Sequence, residues 1–116
     1  MSLTLFLYHG THAQFDEFSL EYSAEGAVFL TDNKAHAQKF GPVVLGVQLT
    51  VSRVLEVNGK TIPADHSIED IEDVVQQGKE AGVDAILIKG FRDAGMVSNT
   101  YLVLDPELCK IVRVPK

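Results

Sequence analysis

A chain of 116 residues is long enough to bury one core and too short for two ordinary domains, so a single domain over 1–116 is expected. Its 46% hydrophobic content, with no internal repeat and no low-complexity segment, predicts a folded globule. The 16 acidic side chains against 10 basic ones give a formal net charge of -6, which repels phosphate backbones and argues against general nucleic-acid binding; a local basic patch around Lys34, Lys39 and Arg53 remains compatible with that balance.

The single cysteine, Cys109, has no intrachain partner, so nothing points to an oxidising compartment. Its flanks Leu108 and Ile111 make it a small buried hydrophobe rather than a nucleophile. The first apolar run lacks a positively charged leader and a cleavage pattern and is too short to span a bilayer. The expectation is a cytoplasmic protein without membrane association.

Taken in order, Leu3–Tyr8 has the run length of a buried strand, and Gly10 is read as the sharp turn that leaves His9 and Thr11 at the strand end. Phe15 and Phe18 predict a turn of helix or an irregular lid. Ala27–Leu30 is a second strand. Thr31-Asp32-Asn33 is a row of helix-capping residues, opening a two-turn helix from Lys34 to Phe40 that Gly41-Pro42 closes. Val43–Val51 and Arg53–Val57 are strands rich in β-branched residues, and Asn58-Gly59 is a turn. Ser67-Ile68-Glu69-Asp70 fits a capping box and opens the clearest helix, with Ile68, Ile71, Val75 and Ala81 on its apolar face and Gly82 ending it. Val83–Ile88, Tyr101–Leu104 and Cys109–Val114 complete the strands, and the loop Gly90 to Ser98 lies between the first two. Six or seven strands with two helices separated in sequence predict an α+β fold.

Some constellations carry chemistry and some do not. An imidazole and a hydroxyl two residues apart, as in His9 and Thr11, suit a polyol such as ribose, although an H-G-T tripeptide is frequent by chance and taken alone reads as the end of a strand. His9 and His12 have an H-x-x-H spacing that, with His36, resembles a zinc set, but no cysteine partner or second pair supports it and no metal is expected. The acidic cluster Glu69, Asp70, Glu72 and Asp73 sits on a first helical turn, where it complements the helix dipole. No phosphate-binding loop, dinucleotide fingerprint or nucleophile elbow is present.

Three stretches in order, Tyr8-His9-Gly10-Thr11, then Phe29-Leu30-Thr31-Asp32-Asn33 with a short helix ending in an aromatic, then Tyr101-Leu102-Val103-Leu104-Asp105-Pro106, resemble the ADP-ribosyltransferase superfamily. The resemblance lies closest to the diphtheria-toxin and poly-ADP-ribose-polymerase branch and to its small phage- and polyvalent-protein-type domains. It implies an ADP-ribosyltransferase-like fold of two packed antiparallel sheets with a cleft and two main helices. It also implies NAD as co-substrate and a protein or other macromolecule as ADP-ribose acceptor. His9 would bond the adenosine-side ribose, the Gly10 backbone would read the nicotinamide amide, and Thr11 would lie beside the ribose. Phe29 and Phe40 would sandwich the nicotinamide ring, and Phe91 and Arg92 would meet the acceptor. The Gly90–Ser98 loop reads equally as a polar hairpin connection with Arg92 solvated.

Cleavage of the ribose–nicotinamide bond passes through an oxocarbenium-like state that a carboxylate stabilises. The position implied for that carboxylate falls on Thr100, beside Asn99, and neither is charged. These two residues are the implied catalytic positions. Either they place NAD for a mono-transfer reaction, or the domain is an inactive module that binds nucleotide or protein. Asp93 and Asp105 are the nearest carboxylates in sequence.

Overall fold

A computed structural model describes residues 2–11, 27–63, 65–93 and 95–113. The elements are β1 (Leu3–Thr11), β2 (Val28–Thr31), α1 (Lys34–Gln38), β3 (Val43–Val51), β4 (Val54–Asn58), α2 (Ile68–Ala81), β5 (Ala85–Asp93), β6 (Met96–Val103) and β7 (Cys109–Arg113). The lid expected around Phe15 and Phe18 lies outside the described residues, as does His12.

The strands form one seven-stranded sheet in the order β4-β5-β6-β2-β1-β3-β7. Long in-register pairing joins β1 to β3, from Leu3 opposite Val51 to Thr11 opposite Val43. By contrast, β1 meets β2 at Tyr8 opposite Thr31. All pairs are antiparallel except β4 with β5. Those two strands are joined through α2, and such a crossover returns the chain to run the same way.

This corrects the expected α+β arrangement of two packed antiparallel sheets with two main helices. The sheet is single and mixed, and α2 is the one main helix. Strand runs in a sequence reveal neither partners nor direction, and the Tyr8–Thr31 pairing joins what the strand count could equally divide between two sheets. The first helix is five residues long, because Lys39 closes its last turn and Phe40 follows it.

Alternation along the strands puts apolar side chains on both faces. Leu45, Val47 and Leu49 of β3 pack with Leu30 and Val103 in one core cluster. Ile71, Val74 and Val75 of α2 pack with Ile86, Ile88 and Leu102 in the other. The neighbours Leu102 and Val103 therefore serve opposite faces of β6. On α2 the buried stripe is Ile71, Val74, Val75 and Gly78, while Ala81, the last residue of the helix, is exposed. A Cβ at Gly78 would stand 2.5 Å from Ile86 Cδ1, so this glycine sets how closely the helix lies on the sheet.

The helix starts as the sequence predicts. Ser67 accepts from the Asp70 amide at 3.2 Å and the Asp70 carboxylate accepts from the Ser67 amide at 2.9 Å, a reciprocal capping box. Gly82 ends it in the left-handed region at φ 68°. The Gly90–Ser98 stretch forms the hairpin that its plainer reading expects, paired almost to its tip, with Phe91 opposite Ser98 and Asp93 opposite Met96. Gly90 and Gly95 take positive φ there, which lets two strands extend through a stretch whose glycines read as loop. Among the described residues no helix is long and apolar enough to cross a membrane.

Candidate functional site

A cleft of about 310 Å³ opens where β1, β2 and α1 meet the start of α2. That volume lies at the small end of the roughly 300–1,000 Å³ typical of small-molecule sites, so it suits one ring and an attached sugar rather than a whole dinucleotide. Tyr8, His9 and Gly10 line it from β1, and Phe29, Leu30 and Thr31 from β2. Ala37 and Phe40 contribute from α1 and its end, and Phe91 and Thr100 from the β5–β6 hairpin. His66, Ser67 and Ile71 close the α2 side.

Of the residues expected to bind a cofactor, His9, Gly10, Phe29 and Phe40 come together here, although His9 and Phe40 lie 31 positions apart. Thr11 does not. It continues β1 opposite Val43 and is not among the lining residues.

Gly10 differs in role from the expectation. It is an ordinary strand position opposite Val44 rather than a sharp turn. A Cβ there would overlap the Ala37 carbonyl oxygen, stand 2.7 Å from its carbon and come within 3.3 Å of Phe40 Cβ. The missing side chain is what allows α1 to dock on β1 and Phe40 to reach the cleft.

His9 Nδ1 lies 2.8 Å from the Phe29 carbonyl oxygen. A carbonyl only accepts, so Nδ1 carries the proton in this contact, and in the neutral ring Nε2 is the acceptor nitrogen. Burial lowers the His9 pKa, with the Phe29 bond opposing it, so the ring is neutral at pH 7. The linkage sign follows: the unfolded chain takes up this proton more readily, so the His9 contribution to stability is present above pH 6.5 and is lost as pH falls through the lowered folded value. Thermal melts below pH 6.5 are therefore expected to show a steeper fall for the native chain than for His9→Gln. Parallel curves would contradict a buried neutral imidazole.

Behind Phe40 lies a buried polar network. His36 stacks on Phe40 with ring centroids 5.5 Å apart. Its Nδ1 is 2.6 Å from Ser98 Oγ, which accepts from Thr31 Oγ1 at 2.7 Å and lies 3.3 Å from Thr100 Oγ1. All four side chains are buried, and Thr31 and Thr100 reach the cleft. Sequence reading passed over this network. Its signal was the hydroxyl pair Ser98 and Thr100, two apart on a strand and therefore on one face.

The same alternation separates the two implied catalytic positions. Thr100 faces the cleft, whereas Asn99 is exposed, with Oδ1 accepting from the Gly90 amide at 3.2 Å. Among the described residues no carboxylate lines the cleft. Asp105 caps the short turn Pro106–Leu108, accepting from the Glu107 amide at 3.0 Å, and Asp93 sits at the far end of the hairpin. The carboxylate next to Asn99 is Asp32. Its Oδ1 accepts from the Asn99 amide at 3.1 Å, and its own amide donates to the Asn99 carbonyl at 3.2 Å. Asp32 is exposed and follows Thr31, the strand partner of Thr100, but it is not among the residues that line the cleft.

Phe91, expected to meet an acceptor, is 1% exposed and tilts against His66 with centroids 5.0 Å apart. It belongs to the cleft wall, while Arg92 is exposed. Cys109 is half-buried, and burial first, then Asp105, pushes its thiol up to about 12, so it stays protonated and unreactive at neutral pH. Among the described residues no cluster of three or more His, Cys, Asp or Glu side chains is arranged to hold a metal.

No protein-family model matches this chain, and no curated protein does. A solved structure of an anti-CRISPR protein is similar in fold, with a TM-score of 0.60 over 94% of this chain and 94% of that one at 13% sequence identity.

Proposed function

We propose that the cleft binds the nicotinamide–ribose half of NAD and that the protein acts as an NAD-dependent mono-ADP-ribosyltransferase towards a macromolecular acceptor. The observation that carries this reading is the convergence of His9, Gly10, Phe29 and Phe40 on one cleft of suitable size. Nicotinamide is flat and electron-poor, and aromatic walls hold such a ring by stacking and by the area they bury, with about 0.5–1.5 kcal/mol per aromatic pair beyond the area term. His9, held in the cleft wall by the contact of its Nδ1 with the Phe29 carbonyl, has the ring chemistry that bonds a ribose hydroxyl. The acidic balance of the chain makes a protein a better acceptor than a nucleic acid, and the anti-CRISPR fold neighbour makes a phage–host setting the first in which to look for it.

A second reading is favoured by the absence of a lining carboxylate among the described residues: a module that binds the nucleotide without cleaving it. Calorimetry with NAD, followed by assay of released nicotinamide, separates the two. Binding that His9→Ala weakens about tenfold, the size of one lost hydrogen bond with its partner left unpaired, together with released nicotinamide, is the expected result. Binding without release supports the module. No binding at millimolar NAD overturns both.

A further inference from the structure

Ser98 has one hydroxyl proton and two acceptor lone pairs, and three groups surround it. Thr31 Oγ1 donates to it, because the Asn33 amide already donates to Thr31 Oγ1 and leaves that hydroxyl proton for Ser98. The remaining two contacts, His36 Nδ1 and Thr100 Oγ1, admit two arrangements. In one, Ser98 donates to His36 Nδ1, the ring proton sits on Nε2, and Thr100 spends its proton on Ser98. In the other, His36 Nδ1–H donates to Ser98, Ser98 donates to Thr100, and the Thr100 proton is left to point elsewhere.

The surroundings of Nε2 decide between them. His36 is 1% exposed, and among the described residues no partner reaches its Nε2. A buried N–H without an acceptor is the rarer and costlier orphan, whereas a bare ring lone pair against apolar surroundings loses less. The proton therefore belongs on Nδ1, and the chain runs His36 to Ser98 to Thr100.

We propose that His36 and Ser98 act as positioning residues that hold Thr100 as a hydrogen-bond donor into the cleft, so that the ligand group buried there must present an acceptor oxygen. Applied to NAD, which rests on the reading above, that oxygen belongs to the nicotinamide carboxamide or to the adjoining sugar. A donor at this position presents the positive end of its dipole, the opposite polarity to a carboxylate. Thr100 thus selects and orients the ligand and does not stabilise positive charge developing on the sugar.

The test has one arm that needs no ligand. Long-range ¹H–¹⁵N correlation spectra of the native protein distinguish the two neutral tautomers of His36: a proton on Nδ1 is expected, and a proton on Nε2 overturns the proposal. The second arm measures NAD affinity. Thr100→Ser and His36→Asn, which retain the hydroxyl and an N–H at the Nδ1 position, are expected to stay within about threefold of the native chain, while Thr100→Val loses about tenfold. Equal affinity of Thr100→Val and Thr100→Ser overturns the donor role. If NAD fails to bind the native chain, the NAD reading falls, and the tautomer alone decides whether Thr100 is a donor.

Discussion

Replacing Gly10 by alanine is expected to destabilise the protein by about 3 kcal/mol, at the upper end of what forcing a side chain into a packed site costs. The added Cβ would occupy the position of the Ala37 carbonyl oxygen. That atom is backbone and cannot rotate aside, so α1 must lift off β1 as a unit. With it would move Phe40, stacked on His36, and with His36 the contact to Ser98. Urea unfolding is the measurement: the midpoint falls while the slope is kept, since the surface exposed on unfolding is nearly unchanged. If the cleft binds NAD as proposed above, the same variant is expected to lose that binding, because the cleft wall formed by Ala37 and Phe40 is displaced. A midpoint within about 0.5 kcal/mol of the native value, the range of a neutral surface change, would show that α1 is not docked against Gly10.

If the protein is the transferase proposed above, Asp32→Asn is expected to reduce nicotinamide release about 100-fold while leaving NAD affinity nearly unchanged. Thr100 occupies the position implied for a catalytic carboxylate but is an uncharged hydroxyl, and no lining residue among those described replaces the charge. Asp32 is the carboxylate bonded, through Oδ1, to the amide of Asn99 next to Thr100, and it follows Thr31, the strand partner of Thr100. Its nearness is also felt at Tyr101, whose phenol is pushed up by burial and then by the Asp32 charge. Removing one group that stabilises transition-state charge typically lowers turnover about 10²–10³-fold. Asparagine keeps the acceptor oxygen for the Asn99 amide, so this contact is held and only the charge is lost. Unchanged release would remove Asp32 from the chemistry, and release that falls in step with affinity would assign it to binding.

The local signals in the sequence were sound where neighbours in the chain decide the outcome. Ser67 and Asp70 cap α2 because both partners lie within one turn, and Gly82 ends it because the left-handed conformation is a property of that residue. The run Val43–Val51 is a strand over the expected span. Reading failed where partners are distant. Gly10 looked like a turn because glycine marks turns, yet its absent side chain is required by Ala37, twenty-seven positions later, and strand pairing carries β1 through Thr11. The Gly90–Ser98 stretch looked like a loop because of its glycines, yet pairing between Phe91 and Ser98 extends both strands.

By itself the sequence determined the strand runs, the capped helix α2 and the bounds on charge. These depend on periodicity and on groups within a turn of one another, whose energies act whatever the rest of the chain does. Only the tertiary structure decided that the strands join into a single mixed sheet, that Asn99 and Thr100 face opposite ways, that Asp32 rather than Asp93 or Asp105 is tied to Asn99, and that His36, Ser98, Thr31 and Thr100 share one buried network. Sheet order, register and the closure of a hydrogen-bond network are set by contacts between residues far apart in the chain, and no local pattern encodes which of the many possible partners a strand or a buried hydroxyl will meet.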